Sequence, residues 1–174
     1  MCKDGSYKWI DWHVQSSVHK STFLAIGRDI TARKQAEEAL RESEERYRPL
    51  FERSLELVYL CDFEGNFIDA NDAALELMGY TKKDIKSLNF SSLLAEGQLP
   101  LALETVEEIL KTGSQKGVVE YKLKRKDGGH FFVESTGALI YRDGKPYAIQ
   151  GIARDITERK RAEEVLRESE EKLA

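Results

Sequence analysis

The sequence predicts an α+β domain, one antiparallel sheet covered on one face by helices, with a charged helix before it and another after it. Three observations predict this. Residues 57–154 read as two strands, then helices, then three strands, an order that segregates the helices to one face of an antiparallel sheet. Residues 119–124 alternate Val, Tyr and Leu with Glu, Lys and Lys, the period of a half-buried strand. A charged segment also occurs twice, RDITARKQAEEALRESEE at 28–45 and RDITERKRAEEVLRESEE at 154–171, differing at 3 of 18 positions.

In chain order, Lys3-Asp4-Gly5 followed by Tyr7, Trp9 and Trp12 is similar to Lys126-Asp127-Gly128 followed by Phe131 and Phe132. Self-similarity at an offset of 126 residues, from Asp29 to Asp155, marks tandem modules. Residues 1–31 therefore read as the last strands of a first module. Two strands without the rest of their sheet leave edges and aromatics uncovered. They are expected to form a hairpin packed on another surface or a partner chain, or else to be poorly ordered.

Residues 32–48 form the first charged helix and 158–174 the second. Ala36, Leu40, Ser43, Tyr47 and Leu50, like Ala162, Leu166, Ser169 and Leu173, are spaced by 4, 3 and 4, the seam of a coiled coil. Two readings stand: a solvated surface helix laced with pairs such as Glu163 and Arg167, or a parallel two-stranded coiled coil weakened by Ser43 and Ser169. Pro49 lacks an amide proton and clashes with the carbonyl of Glu45, so a kink, or a break with a new short helix, is expected there.

The body begins with a strand over 57–62, a turn at Glu64-Gly65 and a second strand over 66–70. Asn71 is the N-cap of a helix that buries Ala74, Leu75 and Met78 and ends at Gly79. Residues 80–99 hold only short helical turns. A second helix starts near Pro100, turns Leu103, Val106 and Leu110 inward and stops at Gly113. After Gly117 comes the alternating strand. The Asp127-Gly128 and Asp143-Gly144 turns then frame strands over about 131–141 and 146–154.

The 174 residues allow one well-packed domain with extensions. Hydrophobic residues at 41% and charged residues at 33% can bury a core while keeping long solvated surfaces. The net charge of −4 arises from interspersed acids and bases, and no basic stripe offers contacts to a phosphate backbone. Nucleic acid is not an expected partner. Cys2 and Cys61 match no metal or redox spacing, which fits a reducing, cytoplasmic setting. No long apolar run or signal-peptide pattern occurs, so no direct membrane contact is expected of these residues.

Asp62-Phe-Glu-Gly-Asn-Phe-Ile-Asp-Ala-Asn71, Ala73-Ala74, Met78-Gly79-Tyr80, Lys126-Asp127-Gly128 and Arg154-Asp-Ile-Thr157 follow one another at a specific spacing. In this order they resemble a PAS domain of the bacterial sensory-box type, including its terminal PAC motif. The resemblance covers residues about 46–157, and residues 3–31 are similar to the end of a preceding PAS domain. It implies a division into 1–31, 32–48, a complete domain over 49–157, and 158–174. A five-stranded antiparallel sheet with helices cupping one face over a small cavity is the implied fold. Candidate cavity residues are Leu60, Met78, Leu103, Val106, Tyr121, Phe132 and Ile149. The resemblance also places a signal junction at Asp155, Ile156 and Thr157, with a second at Asp29, Ile30 and Thr31. There Asp and Thr can cap a helix start while Ile anchors it to the core.

The implied function is that of a sensory and dimerisation module in a multi-PAS signalling protein, such as the sensor histidine kinase of a two-component system. A ligand or an upstream change favours one packing of sheet and helices, and the exit helix passes it on. Expected partners are a second copy through the linker helices, adjacent PAS and output domains, and a small-molecule ligand. No cofactor is indicated. The flavin-photoreceptor branch places its reactive cysteine in an Asn-Cys-Arg motif that is absent here, and the haem-sensing branch uses a histidine where residues 99–112 have none. His13, His19 and His130 read as surface residues. Cys61 reads as an inert strand residue. The acids at 62, 64, 69 and 72 read as turn and helix-start residues. No phosphate loop, Ser-His-Asp set or kinase motif appears, so no catalytic activity is expected. A ligand-free dimerisation spacer and a haem or flavin redox sensor with unfamiliar ligands remain the alternatives.

Overall fold

The computed structural model describes residues 5, 7–17 and 22–173, so Cys2, Lys3, Asp4 and His19 lie outside the described residues. The chain divides into two compact units, Met1–Pro49 and Leu50–Ala174.

In the first unit, β1 (Ile10–Ser17) pairs antiparallel with β2 (Thr22–Asp29), from Ile10 opposite Asp29 to Ser17 opposite Thr22. The expected hairpin is thus present. Trp9, Trp12, Val14, Leu24 and Ile26 are all exposed on it. The helix that follows, α1 (Thr31–Glu52), buries no residue. Ion pairs lace its surface, among them Arg33 with Glu37 at 2.7 Å and Arg41 with Glu45 at 2.6 Å, each weak at this exposure. No break occurs at Pro49, because the helix runs through it and ends at Glu52. The proline removes the amide that would bond the carbonyl of Glu45, and in so exposed a helix water can satisfy that carbonyl.

The second unit is built on a five-stranded antiparallel sheet of order β4-β3-β7-β6-β5. Its strands are β3 (Leu57–Cys61), β4 (Phe67–Ala70), β5 (Val119–Lys124), β6 (His130–Arg142) and β7 (Lys145–Asp155). Hairpin turns join β3 to β4, β5 to β6 and β6 to β7, and the helical middle carries the chain from the β4 edge to the β5 edge. Short elements fill that middle: α2 (Asp72–Met78), a 3-10 turn (Ile85–Ser87), α3 (Phe90–Leu93) and α4 (Leu99–Thr112). The chain closes with α5 (Thr157–Leu173).

Local chemistry explains the boundaries. The side chain of Asn71 accepts from the Ala74 amide to start α2, and Gly79 ends it in a left-handed conformation. Pro100 sits in the first turn of α4, where its missing amide costs nothing, and Gly113 closes that helix. The core gathers Phe67, Leu75, Met78, Leu93, Tyr121, Phe131 and Val133 between helices and sheet.

On α4 the inward stripe differs from the expected one. Ala102 and Ile109 are buried, whereas Leu103 is 61% and Leu110 46% exposed. Two stripes share Val106 on this helix, one through the leucines and one through Ala102, Thr105 and Ile109. The second wins because α4 comes so close to the sheet that Ile109 Cδ1 would lie only 2.8 Å from a Cβ on Gly137. Smaller or differently directed side chains meet that approach; a leucine at 103 does not.

Candidate functional site

Two features of the second unit could carry a signal: voids between the helices and the sheet, and the point where the last strand becomes α5. Strand parity decides which side chains face the voids. On β3, Leu57, Tyr59 and Cys61 point toward the helices; on β6, Phe131, Val133 and Ser135 do so.

The first void, about 20 Å³, is lined by Leu57, Tyr59, Met78, Phe90, Phe131 and Ser135 among others. The second, about 60 Å³, lies under α4 and is bordered by Tyr59, Cys61, Val106, Gln115, Tyr121, Ser135 and Ile149 among others. On this scale a water needs about 10–15 Å³, so the first has the volume of one water and the second that of a few. Four candidate residues, Met78, Val106, Tyr121 and Ile149, border these voids. Leu60 and Phe132 do not, since each sits one residue out of phase and faces the other side of the sheet. Leu103 points outward from α4.

Polar groups in this interior are held by specific partners. The Tyr121 hydroxyl donates to Thr105 Oγ1 at 3.0 Å, and Gln115 Nε2 donates to the Ser135 carbonyl at 3.2 Å. Tyr59 Oη lies 3.3 Å from Ser135 Oγ, and burial pushes its ionisation above the ordinary tyrosine range. Cys61 lies against the Ile149 carbonyl at 3.8 Å, and burial pushes its thiol up to about 12. Such a thiol stays protonated and weakly nucleophilic at neutral pH.

Asn71 is fully buried and ties the entry of the unit together. Its Oδ1 accepts from the amides of Val58 and Ala74, while Nδ2 donates to the carbonyls of Phe51 and Glu56. The sequence showed the cap but not the two long-range carbonyls.

The acids around the first hairpin do not converge. Asp62 accepts from the amides of Glu64 and Asn66 in a turn, and Asp69 pairs with Lys82 at 3.1 Å. Among the described residues no group of three or more His, Cys, Asp or Glu could hold a metal ion. His13 stands on β1 and His130 at the start of β6, both exposed.

At the start of α5, Asp155, Ile156 and Thr157 meet β6 at Phe132. The Ile156 amide donates to the Phe132 carbonyl at 2.9 Å, and the Phe132 amide donates to Thr157 Oγ1 at 3.0 Å. Asp155 Oδ1 accepts from the Thr157 amide at 2.8 Å and from its hydroxyl. Ile156 and Thr157 are buried. Phe131 and Val133 flank Phe132 and line the first void. One stretch of three residues therefore gives the side chains of Phe131 and Val133 to the interior and the backbone of Phe132 to the helix start. Beyond it, Arg159 pairs with Glu120 at 2.7 Å and with Glu134 at 3.3 Å, and Lys160 pairs with Glu120. Lys160 in turn holds the Glu120 carboxyl below its usual range.

Asp29, Ile30 and Thr31 make the same arrangement in the first unit. The Ile30 amide donates to the Trp9 carbonyl at 2.9 Å, the Trp9 amide to Thr31 Oγ1 at 2.9 Å, and the Thr31 amide to Asp29 Oδ1 at 3.0 Å.

A family model described as PAS domain matches residues 55–158. The sensor histidine kinase TmoS of Ectopseudomonas mendocina is 29% identical over 136 residues, covering 78% of this chain and 14% of that protein. A methyl sulfide methyltransferase-associated sensor of Methanosarcina acetivorans is 30% identical, with 74% of this chain and 13% of the relative covered. The chain thus spans about a seventh of the length of these curated relatives. Among solved structures, a domain of a sensory box sensor histidine kinase/response regulator from Geobacter sulfurreducens is 28% identical. It superimposes with a TM-score of 0.55, covering 67% of this chain and 96% of that one.

Proposed function

Because the chain belongs to the PAS domain family, we propose that its second unit is a sensory and dimerisation module whose signal leaves through Asp155, Ile156 and Thr157 into α5. α5 then leads toward an output domain such as a histidine kinase. One observation carries this reading: residues 131–133 form wall and junction at once, so a change in packing at Phe131 or Val133 displaces the backbone to which Thr157 is bonded. The ion pairs of Arg159 on α5 with Glu120 on β5 and Glu134 on β6 extend the same coupling to the neighbouring strand. The matching junction at Asp29, Ile30 and Thr31 supports reading residues 1–31 as the end of a preceding PAS domain that feeds α1 in the same way. Leu40, Tyr47, Leu50 and Leu166 are exposed along the seams of α1 and α5, which supports pairing with a second copy. We place the module in the cytoplasm, without catalytic activity; among the described residues no helix is long and apolar enough to cross a membrane.

The small voids favour a second reading within the same class. With room for only a few waters, the unit would relay a conformational change between linkers as a spacer, without a ligand. Thr157→Val tests the junction in either case. It should abolish regulated output of the full-length protein while far-UV circular dichroism stays native, and unchanged regulation would overturn the junction. Native mass spectrometry separates the two readings, since a retained small molecule removes the spacer.

A further inference from the structure

The chain carries two hairpins of one design. β1–β2 and β6–β7 both run into Asp-Ile-Thr, and counted back from that triplet their registers coincide over the eight pairs of the shorter one. Ile10, Trp12 and Val14 thus occupy the places of Val133, Ser135 and Gly137, and Ala25 and Gly27 those of Gly151 and Ala153. In the second unit β6–β7 lies between β3 and β5, held at both edges by main-chain hydrogen bonds that do not depend on side-chain identity. The backbone alone does not tell this sheet which hairpin is its own.

The inward side chains do. Tyr59 on β3 stands opposite Gly151, its ring in a slot over that glycine, where a Cβ would overlap Cζ, Cε1 and the hydroxyl. Phe90 stacks on the ring at 5.9 Å, Phe67 tilts against it at 5.6 Å, and Ser135 Oγ meets its hydroxyl at 3.3 Å. Beside it, Gly137 leaves room for Ile109 of α4, which would lie 2.8 Å from a Cβ there. β1–β2 would meet each of these contacts with added bulk. Ala25 puts a methyl where Gly151 has none, Val14 puts a branched side chain under Ile109, and Trp12 replaces the hydroxyl that Tyr59 faces. Trp12 also leans over Gly27, where a Cβ would lie 3.0 Å from its ring, so this face of the first hairpin is arranged around its own tryptophan.

We propose that Tyr59, Gly137 and Gly151 form a pairing code by which the second unit's sheet accepts its own last hairpin and rejects the equivalent hairpin of a repeated module, β1–β2 of a second copy included. Exchange of like elements is the characteristic failure of repeated modules, and clashes built against the wrong partner are how close relatives are kept apart. The code needs no signalling role, so its failure would leave the junction at Thr157 untouched.

The test is a disulfide readout in the full chain, with Cys2→Ser and Cys61→Ala removing the native thiols. Leu60 on β3 stands opposite Gln150, and Leu24 is the residue of β2 that corresponds to Gln150. With Leu24→Cys and Leu60→Cys, β1–β2 in the wrong seat brings two thiols into the spacing of a disulfide; Gln150→Cys with Leu60→Cys sets the reference for the right seat. The chain is refolded from denaturant at high concentration and then oxidised. Peptide mass spectrometry counts the bridge between positions 24 and 60, within a chain or between copies. Trp12→Ser, Val14→Gly and Ala25→Gly together, all at exposed positions, give β1–β2 the inward set of β6–β7. They should raise that bridge at least about tenfold, as expected for relief of overpacking. Trp12→Ser with Val14→Ser and Ala25→Ser loosens the hairpin but keeps a Cβ at both places, and should leave the bridge at its starting level. The same yield before and after the glycine changes would overturn the proposal, and so would equal yields from the glycine and serine variants.

Discussion

At Thr31 and at Thr157 the chain makes the same turn from strand to helix, with the same donors and acceptors. The register behind the two turns is also shared: Ile10 faces Asp29 as Val133 faces Asp155, Asp11 faces Arg28 as Glu134 faces Arg154, and Val14 faces Ala25 as Gly137 faces Gly151. What differs is the surroundings. The second junction leaves a five-stranded sheet with a buried core, and the first leaves a two-stranded hairpin whose tryptophans are exposed. The hydrogen-bonded turn therefore needs only the last hairpin and the Asp-Ile-Thr triplet, while its connection to an interior needs the rest of the sheet. The paired Gly137 and Gly151, which make room for Ile109 and Tyr59, belong to that connection; Val14 and Ala25 stand in their places in the first unit.

Solution pH should separate the two regions most strongly. The Cys61 thiol, pushed up to about 12 by burial, favours the folded state below the unfolded thiol's pKa and loses that preference as pH rises through the folded value. From Cys61, up to about 4 kcal/mol of second-unit stability should vanish between pH of about 9 and 12, measured by denaturant titration. Cys61→Ala should reduce the slope while leaving the part due to Tyr59 and Tyr121, which burial also pushes up. In the first unit the dependence runs the other way. Lys8, and then Thr31, hold the Asp29 carboxyl well below its usual range, so its cap is intact above the ordinary carboxylate pKa and lost as pH falls. Both tryptophans of the chain lie in the hairpin, and their fluorescence should report the acid transition alone.

Gly151→Ala should cost about 3 kcal/mol by driving Tyr59 from its slot, whereas the matched Ala25→Gly should cost about 1 kcal/mol or less; thermal melts of the two variants check both. Next in size is Thr157→Val, which leaves the half-buried Phe132 amide without an acceptor at a cost of about 1–3 kcal/mol. Thr31→Val should cost less, because water can reach the exposed Trp9 amide. Equal losses at Thr31 and Thr157 would erase the distinction between the junctions. The smallest effect belongs to Glu120→Gln, which releases the exposed pairs to Arg159 and Lys160 for about 0.5 kcal/mol, read as faster amide exchange in the first turns of α5.

Much of this organisation was legible in the sequence because it is written locally. The Asn71 cap, the terminators Gly79 and Gly113, the Asp127-Gly128 and Asp143-Gly144 turns and the alternation of β5 all depend on neighbours within a few residues. The family follows from those signals in series. The interior was less legible. Leu60 and Phe132 were each one residue off the inward phase, since strands flanked by apolar residues on both faces do not announce their parity. Leu103 lost its place to Ala102 and Ile109 through a close approach at Gly137, some thirty residues away. Tyr59 and Gly151 form a pair only through the β3–β7 register, which no local pattern encodes.

The central claim is that the wall of the interior and the start of α5 are one mechanical element through residues 131–133. The most direct measurement is amide exchange at Lys160, whose amide bonds the Ile156 carbonyl at 2.9 Å, in the unmodified chain and in Val133→Ala, with the Ile109 amide as internal reference for global loosening. The account predicts that Val133→Ala speeds exchange at Lys160 more than at Ile109, and that Thr157→Val removes the excess sensitivity. Equal acceleration at both amides would mean that the wall and the exit helix are not coupled through this junction.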